Sequence, residues 1–202
     1  MKYHSNDIFC KEILTPLYKG GEEKDLQNWR PITIRSVVPC VIERALDRRL
    51  RSLITFNDYQ RGFTNYPGTL ILESILQSAK SQKKNATLIF LDIAKAFDNV
   101  GHNHLKNTLL SAGLPSKLAS LILELQNNNC TKIESNNMKS KPIFIKRGVM
   151  QGSPLSPCLY NHCTDHILEE LSSPENQDEF GYNLSFGLPN VTVLGFADGT
   201  LI

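Results

Sequence analysis

A chain of 202 residues is long enough for one domain with a sizeable core. Its 41% hydrophobic and 21% charged content fits a globular protein, and no apolar run reaches the roughly eighteen residues of a transmembrane helix, so no membrane partner is expected. The net charge of +2 hides an asymmetry: no Lys or Arg follows Arg147 and seven of the 20 acids do, which leaves all 22 basic residues facing 13 acids upstream.

In chain order, the segment ILTPLYKGGEEKDLQNWRPITI reads as strand, glycine-rich turn, strand. Val38, Val41, Ile42, Ala45, Leu46, Arg49, Leu50 and Leu53 then recur at helical spacing. Arg30, Arg35, Arg44, Arg48, Arg49 and Arg51 make residues 30–51 the densest basic stretch. That stretch suits a polyanion such as nucleic acid, and equally suits a solvated helix face with i,i+4 ion pairs. TLILESILQSAKSQ predicts a second helix with Ile71, Ile75 and Ala79 in line. ATLIFLD, residues 86–92, reads as a buried strand ending in an acid. HNHLKNTLLSAG and PSKLASLILELQ predict two helices split by Gly113, the second opened by Pro115. PIFIKRGV is strand-like, and SPCLYNHCTDHILEEL is helical. ENQDEFGYNLSFGLPN reads as loop or hairpin, and VTVLGF as a last buried strand. The interleaving predicts an α/β or α+β class with a mixed or antiparallel sheet.

Five cysteines, an odd count with no CxxC pair, read as free thiols in a reducing compartment. The N-terminus MKYHSNDIFC lacks the apolar core of a signal peptide, so the expectation is an intracellular protein of cytoplasm or nucleus, not a secreted one. His162 and His166 stand i,i+4 on a predicted helix, but no third zinc ligand is evident. Two apolar strands end in aspartates, Asp92 and Asp198. If those strands are neighbours, the carboxylates converge, and hard oxygen ligands of that kind suit Mg²⁺. Two ions about 3.5–4 Å apart would serve phosphoryl transfer. The other reading has each acid capping a helix or turn, since Asp-Gly is a strong hairpin signal.

Taken in order, LDIAKAFDNV resembles motif A of reverse transcriptases, RGVMQGSPLSP motif B, and FADGT motif C, usually FADDT. NWRPITI with YKGG resembles the fingers motifs. Four motifs in order, across residues 12–202, resemble the LINE-type (non-LTR) retrotransposon enzymes, especially the lineage that inserts into ribosomal RNA genes. The resemblance implies an α+β right-hand polymerase fragment, with an antiparallel palm sheet flanked by helices and the thumb absent. Residues 1–85 would be fingers and 86–202 palm. It implies an RNA-directed DNA polymerase that joins a deoxynucleoside triphosphate to a DNA primer 3′-OH on an RNA template, with two Mg²⁺ or with Mn²⁺ in their place. Asp92, the carbonyl of Ile93 and Asp198 would hold metal, with Asp92 and Asp198 catalytic. Phe97 would exclude a ribose 2′-OH, Gln151 and Gly152 would line the nucleotide pocket, and Lys19 and Arg30 would grip the triphosphate.

The family's second motif C acid is replaced by Gly199. A loss of ~4 kcal/mol of transition-state stabilisation would slow the reaction about a thousandfold. The chain also stops inside the expected return strand of motif C, which predicts an exposed sheet edge. Weak or absent polymerisation is therefore expected. The alternative is a non-catalytic nucleic-acid-binding remnant using the basic stretch of residues 30–51.

Overall fold

A computed structural model of the protein describes residues 12–64, 68–127, 130–135, 138–184 and 189–202. The N-terminal stretch, residues 1–11, and the centre of the 181–190 loop, with their sequence expectations, lie outside the described residues. Contacts divide the chain into two units that do not follow chain order: one holds the residues up to Leu53 with Phe97–Leu159, the other Ile54–Ala96 with Tyr160–Ile202.

The first unit is built on a mixed sheet. β1 (Glu12–Tyr18) and β2 (Trp29–Ile34) form an antiparallel hairpin, with Leu17 opposite Arg30 and Tyr18 opposite Trp29. The Tyr18 and Trp29 rings lie 5.1 Å apart, and Trp29 Nε1 donates to the Glu23 carbonyl at 2.9 Å, which closes the turn. β1 pairs in parallel with β4 (Cys130–Ser135), whose other edge takes β5 (Met138–Lys139) and β6 (Ile143–Phe144), both antiparallel. α1 (Val37–Leu53) forms where the helical spacing predicts it. Its inward line, however, is Pro39, Glu43, Leu46 and Leu50, while Val38, Val41, Ile42 and Leu53 are exposed. α3 (His102–Ser111) and α4 (Ser116–Asn127) pack as a helical hairpin. Leu105, Leu109 and Ile122 are fully buried. Pro115 supplies the carbonyl that accepts two first-turn amides of α4, from Leu118 and Ala119.

The second unit contains α2 (Gly68–Gln82), with Ile75 and Ala79 buried as the spacing predicts, and a three-stranded antiparallel sheet. The sheet order is β3 (Phe90–Asp92), β8 (Gly199–Leu201), β7 (Leu194–Phe196). Two expectations are corrected here. The expected return strand of motif C is formed as β8 and is paired on both sides, with Ile202 and Ile89 exchanging N–H···O bonds of 2.9 and 2.7 Å beyond it. The 86–92 run is strand only at Phe90–Asp92, and that strand is exposed, because β3 is a three-residue edge strand that among the described residues pairs with β8 alone. β7 keeps its expected burial through Val193 and Leu194.

α5 (Ser156–Leu171) begins one residue before Pro157, whose ring suits a first turn. The stretch read as loop or hairpin contains a helix, α6 (Pro174–Phe180). Ser173 caps it through its hydroxyl to Asn176 N–H, Pro174 opens it, and Glu175 favours its N-terminal dipole. Cys40, Cys158 and Cys163 form no disulfide, and burial pushes the Cys158 thiol up to about 12. Among the described residues no helix is long and apolar enough to cross a membrane.

Candidate active site

Asp92 ends β3 directly across from Gly199, the first residue of β8. Asp198 precedes Gly199 in the turn, and its carbonyl accepts from Ile93 N–H at 3.1 Å. Asp92 thus closes a strand that pairs with β8, and Asp198 sits in the turn that leads into β8. Both are exposed, so burial does not oblige either carboxylate to find a cation. Their fields meet at Tyr160, whose phenol is pushed up to about 12 by burial first and then by Asp198 and Asp92.

Among the described residues no group of three or more His, Cys, Asp or Glu side chains comes together, so the pair stands without a third acid and the His162–His166 spacing builds no zinc site. His162 instead meets Phe56 edge-on, ring centroids 6.4 Å apart. Two carboxylates and a nearby backbone carbonyl on Ile93 fit a hard divalent cation that keeps several waters. Gly199 is not demanded by the backbone: it has no left-handed φ, and a Cβ there would meet only the Phe196 carbonyl oxygen, at 3.8 Å. A side chain has room there.

The nucleotide-pocket candidates lie in the first unit. Gly148 sits so close to the Asp98 backbone that a Cβ would be 2.8 Å from Asp98 Cα, which brings the RGVMQG segment against the Phe97–Asn99 turn. Val149 N–H donates to the Phe97 carbonyl at 2.8 Å, and Gln151 Nε2 to Asp98 Oδ1 at 3.1 Å. Gln151 is therefore held by Asp98, the neighbour of Phe97. Thr33 N–H donates to the Gln151 carbonyl at 3.2 Å, and Gly152 has φ +105° with the Thr33 carbonyl oxygen 2.7 Å from where a Cβ would stand. Only glycine permits both. Arg30 lies on β2, three residues before Thr33, and Lys19 begins the turn of the same hairpin, its N–H donating to Asn28 at 2.8 Å; both side chains are exposed.

Below that loop is a buried cluster that sequence reasoning missed. Glu43 is fully buried, paired with Arg35 Nη1, and its Oε2 accepts from the Ser153 hydroxyl at 2.7 Å. The available signal was a glutamate at the position where an inward helical line would otherwise be apolar. Arg35 therefore does not belong to the exposed basic face, and Arg51 is engaged by Asp47 at 3.0 Å; Arg44, Arg48 and Arg49 are exposed.

A family model described as reverse transcriptase (RNA-dependent DNA polymerase) matches residues 19–202. The Pol polyprotein of a type-1 retrotransposable element R2 from Popillia japonica is 32% identical over 193 residues, covering 93% of this chain and 26% of that relative. The corresponding polyprotein of the type-2 element R2DM from Drosophila melanogaster is 29% identical over 180 residues, covering 87% of this chain and 16% of that relative. The chain thus spans about a quarter or less of the length of these polyproteins. Among solved structures, a Candida tropicalis telomerase in complex with a fragment of telomeric RNA matches with a TM-score of 0.52 at 14% identity, over 82% of this chain and 28% of that one, a likeness of fold.

Proposed function

Because the chain belongs to the reverse transcriptase (RNA-dependent DNA polymerase) family, we propose that it carries the nucleotidyl-transfer portion of such an enzyme, joining a deoxynucleotide to a DNA primer on an RNA template. The observation that carries this reading is the β3–β8 pairing, which sets Asp92 across from Gly199, the residue that follows Asp198. In family terms residues 1–85 serve as fingers and 86–202 as palm.

Asp92, Asp198 and the Ile93 carbonyl are assigned to Mg²⁺, with Mn²⁺ as substitute. When bound, the ions lower the pKa of the primer hydroxyl and neutralise the leaving pyrophosphate. The chain's own residues supply positioning. Arg30 grips phosphate oxygens in a bidentate fork and Lys19 adds a point charge. Phe97, half-buried beside the RGVMQG segment, presents an aromatic to the sugar and excludes a 2′-OH. Gln151, held by Asp98, and Gly152, without a Cβ, let the nucleotide approach the backbone. The primer 3′-oxygen bonds to the α-phosphorus as the bond to pyrophosphate breaks, and the hydroxyl proton leaves to solvent. Free thiols at Cys40 and Cys158 support an intracellular setting, in cytoplasm or nucleus.

Gly199 favours a second reading, a nucleic-acid-binding remnant, because the pair lacks the third acid of the family pattern. Primer extension on an RNA template, in Mg²⁺ and then Mn²⁺, separates the two. Extension is expected to be weak and to vanish in Asp92→Ala. Gly199→Asp, which the backbone accommodates, should raise it by about a hundredfold or more, equivalent to about 3 kcal/mol or more at the transition state. A folded Gly199→Asp chain that still extends nothing would sink the polymerase reading.

A further inference from the structure

The turn that carries Asp198 is held by a segment far from it in sequence. Residues 59–62 run beside β7: Gly195 N–H donates to the Tyr59 carbonyl at 2.9 Å, and Arg61 N–H to the Gly195 carbonyl at 2.6 Å. Between them Gln60 is buried, at 2% exposure. Its Oε1 accepts from Gly62 N–H at 2.9 Å and from Ala197 N–H at 3.2 Å. Ala197 directly precedes Asp198 and has φ +59°, a left-handed conformation that a residue with a Cβ adopts only when its surroundings hold it there. Gly62 lies so close that a Cβ on it would stand 2.1 Å from Ala197 N, and Asn161 Nδ2 donates to the Gly62 carbonyl at 2.7 Å. The backbone before Asp198 is thus pressed against a glycine and tied to a buried amide, all within the second unit.

We infer that Gln60 is a positioning residue for the carboxylate pair: its Oε1, bonded to Ala197 N–H, keeps the strained turn in the conformation that sets Asp198 beside Asp92. The inference rests on the metal-binding reading proposed above. Without that acceptor the turn is free to relax toward a negative φ, and relaxation at Ala197 rotates the next residue, Asp198, away from its place. Outer partners of this kind tune a metal site without touching the metal.

The test uses the full chain. Gln60→Met keeps the length and burial and removes the acceptor; Gln60→Glu keeps an acceptor; Gln60→Asn withdraws it by one carbon and serves as a milder arm if Gln60→Met fails to fold. Amide exchange on metal-free protein reads the turn, Mn²⁺ titration followed by EPR reads the pair, and both are run well below the melting temperature. Gln60→Met should speed exchange at Ala197 by about tenfold relative to Leu201. It should weaken Mn²⁺ binding about 10- to 100-fold, and Gln60→Glu should restore both. A purely structural Gln60 would lower the melting temperature and leave Ala197 exchange and Mn²⁺ affinity of the folded protein unchanged, which overturns the inference. Wild-type protein with no Asp92-dependent Mn²⁺ binding would sink the metal reading instead. Exchange at Ala197 would still decide the role of Gln60: faster exchange in Gln60→Met supports it, and unchanged exchange overturns it.

Discussion

Asp165 accepts the Asn57 N–H through both carboxylate oxygens, at 3.0 and 3.1 Å, from the buried side of α5. Burial raises its pKa to about 6, the Asn57 amide opposes that rise, Glu169 adds to it and His166 opposes it. The folded value lies above the ordinary carboxylate value of 3.8, so the fold prefers the protonated form. Its stabilising effect is fully present below about pH 4 and is lost as pH rises through about 6. Asp165→Asn removes that dependence. The variant should gain on the order of 1–2 kcal/mol over wild type at pH 8, less than the full shift because one of two acceptor oxygens is lost, and little at pH 4. Urea denaturation at both pH values measures it; a difference independent of pH would refute the linkage. The same scale shows what single residues disclose in sequence. Asp92 and Asp198 stand out in sequence because an acid closing an apolar run is locally odd, although the strand that Asp92 closes is exposed. Gln60 was not, because its value depends on an amide 137 residues away. Gly62 and Gly199 look alike in sequence, yet the first admits no Cβ and the second does.

At the scale of elements, periodicity locates α1, α2 and the α3–α4 hairpin because each needs only a local repeat. It does not say which face of α1 is covered. The sequence pattern joins Val38, Val41, Ile42 and Leu53, which are exposed, to Leu46 and Leu50, which are buried, whereas the inward line also runs through Glu43, made tolerable by Arg35 and Ser153. A long-range ion pair leaves no local repeat. α6 was missed for a related reason: a seven-residue helix with a Ser173 cap shows no periodicity long enough to register. The Glu43 cluster makes a definite prediction. Glu43→Ala removes a buried carboxylate bonded to both Arg35 and Ser153 and should destabilise the first unit by about 3–5 kcal/mol. Glu43→Gln keeps an acceptor for Ser153 and should cost less, though its ion pair with Arg35 is lost. Urea unfolding of both variants tests the order; equal, small losses would mean that solvent reaches Arg35.

At the scale of the whole chain, all 22 basic residues lie at or before Arg147. Structure trims the densest stretch, since Arg35 is buried on Glu43 and Arg51 is held by Asp47, leaving Arg44, Arg48 and Arg49 exposed on α1 and Arg30 on β2. A polyanion bound there would release counterions in proportion to the phosphates neutralised. For single-stranded RNA, log K should fall against log salt with a slope of about −0.7 per phosphate contacted. Replacing Arg44, Arg48 and Arg49 together with Ala should flatten the slope by about 2 units, at unchanged melting temperature, because the three side chains are exposed. Asp92→Ala should leave the slope as it is, since that carboxylate is assigned to metal and not to the strand. An unaltered slope in the triple variant would show that RNA binds elsewhere on the basic part of the chain. A flattened slope without any primer extension, even after Gly199→Asp, would make binding the surviving activity and favour the remnant over the polymerase.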